Sequence, residues 1–265
     1  MPRALRALLL ACLLPAAAWA ATPPSVFLEE LTWTEVRDAI KSGRTTIIVP
    51  IGGTEQSGPH IALGKHNARA HFLAGRIAAS LGDALVAPVL AYVPEGATSP
   101  ATEHMRFAGT ISIPESTFEE ILVATGKSMR RHGFKDIVFI GDHGGYQRAM
   151  KRAAVILNRD WVGNSVKAHA IEEYYTAAST EYAKALAARG FSDDEIGTHA
   201  GLADTSLTLA IDPSLVRTER LRGSNTREEG VSGDPERSST DLGKIGVDLV
   251  VKRTTDAIRA ARPGT

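Results

Sequence analysis

The stretch GGTEQSGPHIALGKH, residues 52–66, gathers one Glu and two His among four Gly and a Pro. Carboxylate and imidazole are the donors that bind zinc, manganese or iron, and a glycine-rich loop lets them turn toward one ion. His beside an acid recurs three times further on. Glu103 precedes His104, Asp142 precedes His143 and a Gly-Gly pair, and His199 in Thr-His-Ala-Gly is followed five residues later by Asp204. Such a set suits a divalent ion that activates water, or proton transfer by imidazole. The plainer reading is that 52–66 is a tight connection and that His66 caps the following helix. His71, His132 and His169 fall inside helical or strand patterns and read as structural.

These residues need elements to position them. Thr32 and Glu35 form a capping box for a helix that runs to Lys41 and closes at Gly43. TTIIVPIGG is a short apolar run ending in glycine, as expected of a buried parallel strand entering a loop. Helical spacing follows over 67–81, then strands over 84–93 and 106–113. Ser116 with Glu119 predicts a helix start, and the pattern runs to His132. A buried strand at 136–145 breaks at glycine, followed by a helix over 146–159 and a strand over 165–171. Helices are predicted over 180–189, 200–209 and 240–261, and 217–239 is the one long loop. Strands alternating with helices make an α/β fold with a parallel sheet covered on both faces. Ligands sit beyond the carboxyl ends of such strands, where both glycine breaks, at Gly52 and Gly141, would open.

Residues 1–20 read as a cleavable secretory leader. Arg3 and Arg6 precede an apolar run over 7–14, and Ala18-Trp19-Ala20 is a cleavage site. That implies a single domain over 21–265 and a periplasmic or secreted protein, without a membrane anchor once the leader is removed. Cys12 is the only cysteine, so the mature chain has no thiol ligand, no Cys nucleophile and no disulfide. The chain has 30 basic and 30 acidic residues, and loss of two leader arginines leaves 28 against 30. With that balance and no basic tract, nucleic acid is not an expected partner.

Four segments in order carry a resemblance: VPIGGTEQSGPHIALGKH, EHMRFAGTIS, FIGDHGGYQ, and THAGLADTS with GVSGDP after it. They resemble the creatininase family of metal-dependent amidohydrolases over nearly the whole mature chain. The resemblance implies a three-layer αβα sandwich with a mostly parallel central sheet, often assembled as a homohexamer. It also implies a divalent centre, commonly two zinc, manganese or iron ions, that hydrolyses cyclic amides or formamides. Glu55, His143 and His199 stand at matching family positions. Ser57 replaces a His ligand, His66 replaces the Asp that bridges two metals, and Asp204 stands where a Glu is often found.

Two divalent ions about 4 Å apart repel by about 16 kcal/mol at an effective dielectric of 20, which a bridging carboxylate offsets. Imidazole cannot bridge, so the expectation is one zinc, manganese or iron ion per chain. Its ligands would be Glu55, His66 and His143, with Asp204 or His60 nearby. His199 is the expected general acid–base, and Glu103 and His104 orient the substrate. Asp142 would orient His143, and the backbone of Gly144 and Gly145 would approach an oxyanion. The expected activity is hydrolysis of a small cyclic amide or related carbonyl compound by an ion-activated water. Sugar or cyclitol ring-opening or lyase chemistry is a second reading, and a non-catalytic small-molecule binding protein a third.

Overall fold

The computed structural model describes residues 23–262, so the leader expected over 1–20 lies outside the described residues. Strand β1 (Thr46–Ile51) is buried at every position, as its sequence TIIVPI requires of a strand with water on neither face. It pairs in parallel with β2 (Ala84–Val86) on one side and β3 (Asp136–Gly141) on the other. β4 (Lys167–Ala170) joins β3, giving an all-parallel sheet of order β2-β1-β3-β4.

Alternate residues feed two separate cores. Ile47, Val49, Ile51, Ile137 and Phe139 face helices α1 (Trp33–Lys41), α3 (Glu115–His132) and α4 (Gln147–Asp160). Ile48, Val138 and Ile140 face the opposite layer. That layer holds α2 (Lys65–Leu81), α5 (Glu173–Thr176), α6 (Tyr182–Ala187), α7 (Asp193–Ile196), α8 (Leu202–Ile211) and α9 (Thr240–Ala261). The result is a three-layer αβα sandwich. The Thr32–Glu35 capping box forms, and Ser239 caps α9 by accepting from the Leu242 N–H.

Register brings the chemistry together. Ile51 pairs with Gly141, so β1 and β3 end side by side and release their loops at one sheet edge. Tyr146 stitches the two exits. Its hydroxyl receives the His143 N–H at 3.0 Å and donates a forked bond to the Ile51 and Gly52 carbonyls at 2.8 and 2.7 Å. Gly52 is needed for space, because a Cβ there would collide with Asn67, whose Oδ1 accepts the Gly53 N–H at 3.0 Å.

Several predicted elements differ. The strand expected over 84–93 stops at Val86, because Pro88 interrupts it, leaving single bridges at Leu90 and Val93. No strand forms over 106–113. A 3-10 turn (Glu103–Arg106) and a left-handed Gly109 leave only a bridge from Ser112 to Val93. Ser116 does not cap α3, which begins one residue earlier behind Pro114, while Glu115 and Glu119 pair with Arg152. The helix expected over 180–189 starts at Glu173 and contains a π turn over Ala177–Glu181.

Helices α8 and α9 cross at Gly243, where a methyl group would overlap the Ser206 carbonyl oxygen. Gly243→Ala is expected to destabilise the fold by about 1–3 kcal/mol through overpacking. Thermal unfolding should show a drop of roughly 2–4 °C per kcal/mol.

Candidate metal centre

Glu55 leaves β1 and is fully buried. Around it the fold collects residues from four distant segments. Glu55 Oε2 lies 3.3 Å from His104 Nε2 and 3.4 Å from His143 Nε2, and His143 Nδ1 lies 3.5 Å from Glu95. Donor atoms of Glu55, Glu95, His104 and His143 all fall within 4.8 Å of one another. A tetrahedral ion with ligands at 2.0–2.1 Å separates its donors by roughly 3.3–3.4 Å, so the Glu55–His104 and Glu55–His143 separations suit a zinc-sized ion. The oxygen inventory agrees. Glu55 Oε2 and both Glu95 oxygens are buried without a hydrogen-bond partner, although buried carboxylate oxygens are costly to leave so. These four residues fit a divalent ion.

The electrostatics divides the two acids. Burial would raise Glu55, but His66 and Lys65 hold its carboxyl well below the usual range. Burial, with the Glu55 charge beside it, pushes Glu95 up to about 10. His143 is lowered to about 4 and His199 to about 3, in both cases chiefly by burial. Both rings are therefore neutral at pH 7, the form that binds metal or accepts a proton.

His66 is placed otherwise than expected. Its Nε2 lies 2.6 Å from Glu55 Oε1 and its Nδ1 2.5 Å from Asp142 Oδ2, so both ring nitrogens are engaged by carboxylates, and His66 meets Glu55 at Oε1, not at the Oε2 that faces His104 and His143. Burial and Lys65 act to lower its pKa, but the two carboxylates outweigh them and raise it above the usual imidazole value. Asp204 is also engaged elsewhere. It accepts from Lys65, from Arg69 and from the Ala200 N–H, and together the two cations hold it well below its usual range despite burial. Asp142 accepts from His66 and Tyr174 and pairs with Arg69, rather than orienting His143. The Gly145 N–H is turned to His143 Nδ1 at 3.3 Å. His60 donates from Nε2 to the Ala200 carbonyl at 3.0 Å, tying its loop to the start of α8.

His199 lies close to the group, with Nδ1 3.7 Å from Glu55 Oε1. Its Nε2 lies between the Gln56 main-chain carbonyl at 3.0 Å and the Gln56 side-chain nitrogen at 3.1 Å, which together hold the ring in place. The Gln56 side-chain nitrogen is 3.0 Å from His104 Nδ1 and donates to the Gly230 carbonyl, which fixes the His104 ring. Glu103 is exposed on the turn beside His104, at a φ of 48°, and does not line the cavity. The cavity, about 320 Å³, is bounded by His104, His143, His199, Lys65, Arg69 and Tyr175.

Three residues of the site, Glu95, Lys65 and Arg69, escape a reading of the sequence. Glu95 sits in a Pro-Glu-Gly segment that has no periodicity, and only its burial marks it. Lys65 and Arg69 recur at i and i+4 on α2, a spacing that does place them on one helix face.

With this geometry in place, comparison identifies the lineage. The creatininase profile, described as creatinine amidohydrolase, matches residues 29–258. The chain belongs to the creatininase family of hydrolases. The mycofactocin precursor peptide peptidase of Mycolicibacterium smegmatis is 29% identical, over 82% of this chain and 85% of that protein. The creatinine amidohydrolase of Pseudomonas putida is 25% identical over 91% of this chain and 99% of its own length. A crystal structure of creatininase superposes at a TM-score of 0.77 with 24% identity, covering 91% of this chain and all of that one. Creatininases of Zn–Zn and manganese type share this fold at TM-scores of 0.74 and 0.73, with 24% and 23% identity.

Protonation of Glu95 makes ion binding pH-dependent. Below about 10 the empty site keeps that proton, and a divalent ion must displace it. His143 and His199, at about 4 and 3, have none to lose above about pH 5. Ion binding at about pH 7–8 should release about one proton, and affinity should rise up to about tenfold per pH unit. Calorimetry in buffers of different ionisation enthalpy measures the proton count, and zero would show that Glu95 takes no part.

Proposed function

We propose that this protein is a hydrolase using one divalent ion per chain to cleave a C–N bond of a small cyclic amide or related carbonyl compound. The observation that carries this reading is the convergence of Glu55, Glu95, His104 and His143, with three unpartnered carboxylate oxygens, beside a 320 Å³ cavity that His104 and His143 line. These residues would hold a divalent ion, which would supply carbonyl polarisation and a water of pKa about 7. Either zinc or manganese suits these nitrogen and oxygen donors.

The chain's own residues supply the rest. The neutral His199 ring, with Nδ1 3.7 Å from Glu55, is placed to take a proton from the attacking water and return it to the leaving nitrogen. Gln56 holds His199 and His104 in register. The cavity volume favours a small substrate such as a lactam over an extended chain, although the Mycolicibacterium relative acts on a precursor peptide. A site with this donor set intact also favours catalysis over passive binding. Export behind the 1–20 leader is part of the proposal, supported by its Arg-apolar-Ala-x-Ala pattern. So is a homo-oligomer, which would cover the exposed Trp33, Val155 and Val162 side chains.

Elemental analysis of the purified protein should find about one zinc or manganese ion per chain, and His143→Ala should remove it. His199→Gln should keep the ion but lower kcat by roughly 10²–10⁴ if the imidazole transfers the proton. Activity would be sought across lactams, formamides, keto-cyclitols and short peptides. Full ion retention by His143→Ala, or a His199→Gln enzyme as fast as the parent, would refute these assignments.

A further inference from the structure

Lys65, in the first turn of α2, is a cation that the scheme above leaves without a task. It is fully buried, pairs with Asp204, and lies 3.6 Å from Glu55 Oε1. It also lines the same cavity as His104, His143 and His199. A buried ammonium is costly unless carboxylates surround it, so the fold has arranged Asp204 and Glu55 to keep it. The two edges of Glu55 thus have different company. Oε2 has no hydrogen-bond partner and faces His104 and His143. Oε1 faces His66 Nε2 and Lys65 Nζ.

We propose that Lys65 is the second cation of this site, so that Glu55 spans a divalent ion at Oε2 and a fixed ammonium at Oε1. The inference rests on reading the Glu55 group as a metal centre. Hydrolases with two ions use the second to stabilise oxygens that gain charge in the reaction. An ammonium supplies positive charge without coordination, and it has three N–H donors. One goes to Asp204 and one points toward Glu55, which leaves a third for a substrate oxygen in the cavity that Lys65 lines. The same ammonium bars a second divalent ion. Such an ion would approach two fixed cations, Lys65 and Arg69, and would need Asp204, which both already hold.

Metal stoichiometry tests this without reference to turnover. The parent, Lys65→Arg, Lys65→Ala and the charge-balanced Lys65→Ala/Asp204→Asn would be equilibrated with Mn²⁺, freed of excess ion and analysed for metal. The parent and Lys65→Arg should hold one ion per chain. Lys65→Ala, with Glu55 Oε1 and Asp204 released, should move toward two and gain thermal stability from the second, while the double variant returns to one. A folded Lys65→Ala that stays at one ion overturns the proposal, as does a parent that holds two. Failure of Lys65→Ala to fold even with excess Mn²⁺ also overturns it, because the ion is expected to stand in for the ammonium. A parent that binds no ion instead refutes the metal-centre reading on which the proposal rests.

Discussion

Glu55 is completely buried at the carboxyl end of β1, and an ionised carboxylate there costs several kcal/mol unless cations and donors surround it. Much of the site is explained by that requirement. His66 and Lys65 approach Oε1 from the first turn of α2, while His104 and His143 approach Oε2 from a turn and a strand end. These groups belong to segments far apart in the chain. What lets them meet is the pairing of Ile51 with Gly141, which opens both loops on one edge, and the Tyr146 hydroxyl that ties the two exits together.

Behind Glu55 lies a ladder of alternating charge: Glu55, His66, Asp142, Arg69 and Asp204, closed by Lys65 back to Glu55. Each member has opposite charge or hydrogen-bonding partners on both sides, so removing one strands its neighbours rather than costing a single contact. Glu95 stands outside the ladder. With Glu55 already ionised beside it and no cation paired to it, it remains protonated until something supplies positive charge. The site is therefore balanced on the ladder side and short of one cation on the other, and that asymmetry supports the reading of a single divalent ion.

Membership of the creatininase family fixes the sandwich and the sheet edge, but not the residues that furnish the site. At the positions that distinguish this chain, the side chains are coupled by geometry. His66 takes its place between two carboxylates, and Lys65 beside it engages Asp204 on α8, so neither would be satisfied without its partners. Ser57, where the family motif has a ligand His, is buried with an unpartnered Oγ and does not line the cavity.

The sequence by itself determined the layers and the place of the site. Continuous apolar runs such as TIIVPI suit strands buried on both faces, and the glycines that end β1 and β3 marked the edge where Glu55 and His143 emerge. The Thr32–Glu35 capping box located α1 closely, because a cap is a local hydrogen bond between near neighbours, whereas Ser116 did not cap α3. The partners of each polar side chain were decided only in three dimensions. His66 and Asp204 have the chemistry of metal ligands, yet Asp142, Lys65 and Arg69 engage them first, and nothing in their spacing shows it. Glu95 lies in an irregular segment, where no periodicity reports which way a side chain points. Periodicity encodes which face of an element is buried, whereas a donor's partner depends on how distant segments pack, and that is settled by tertiary structure alone.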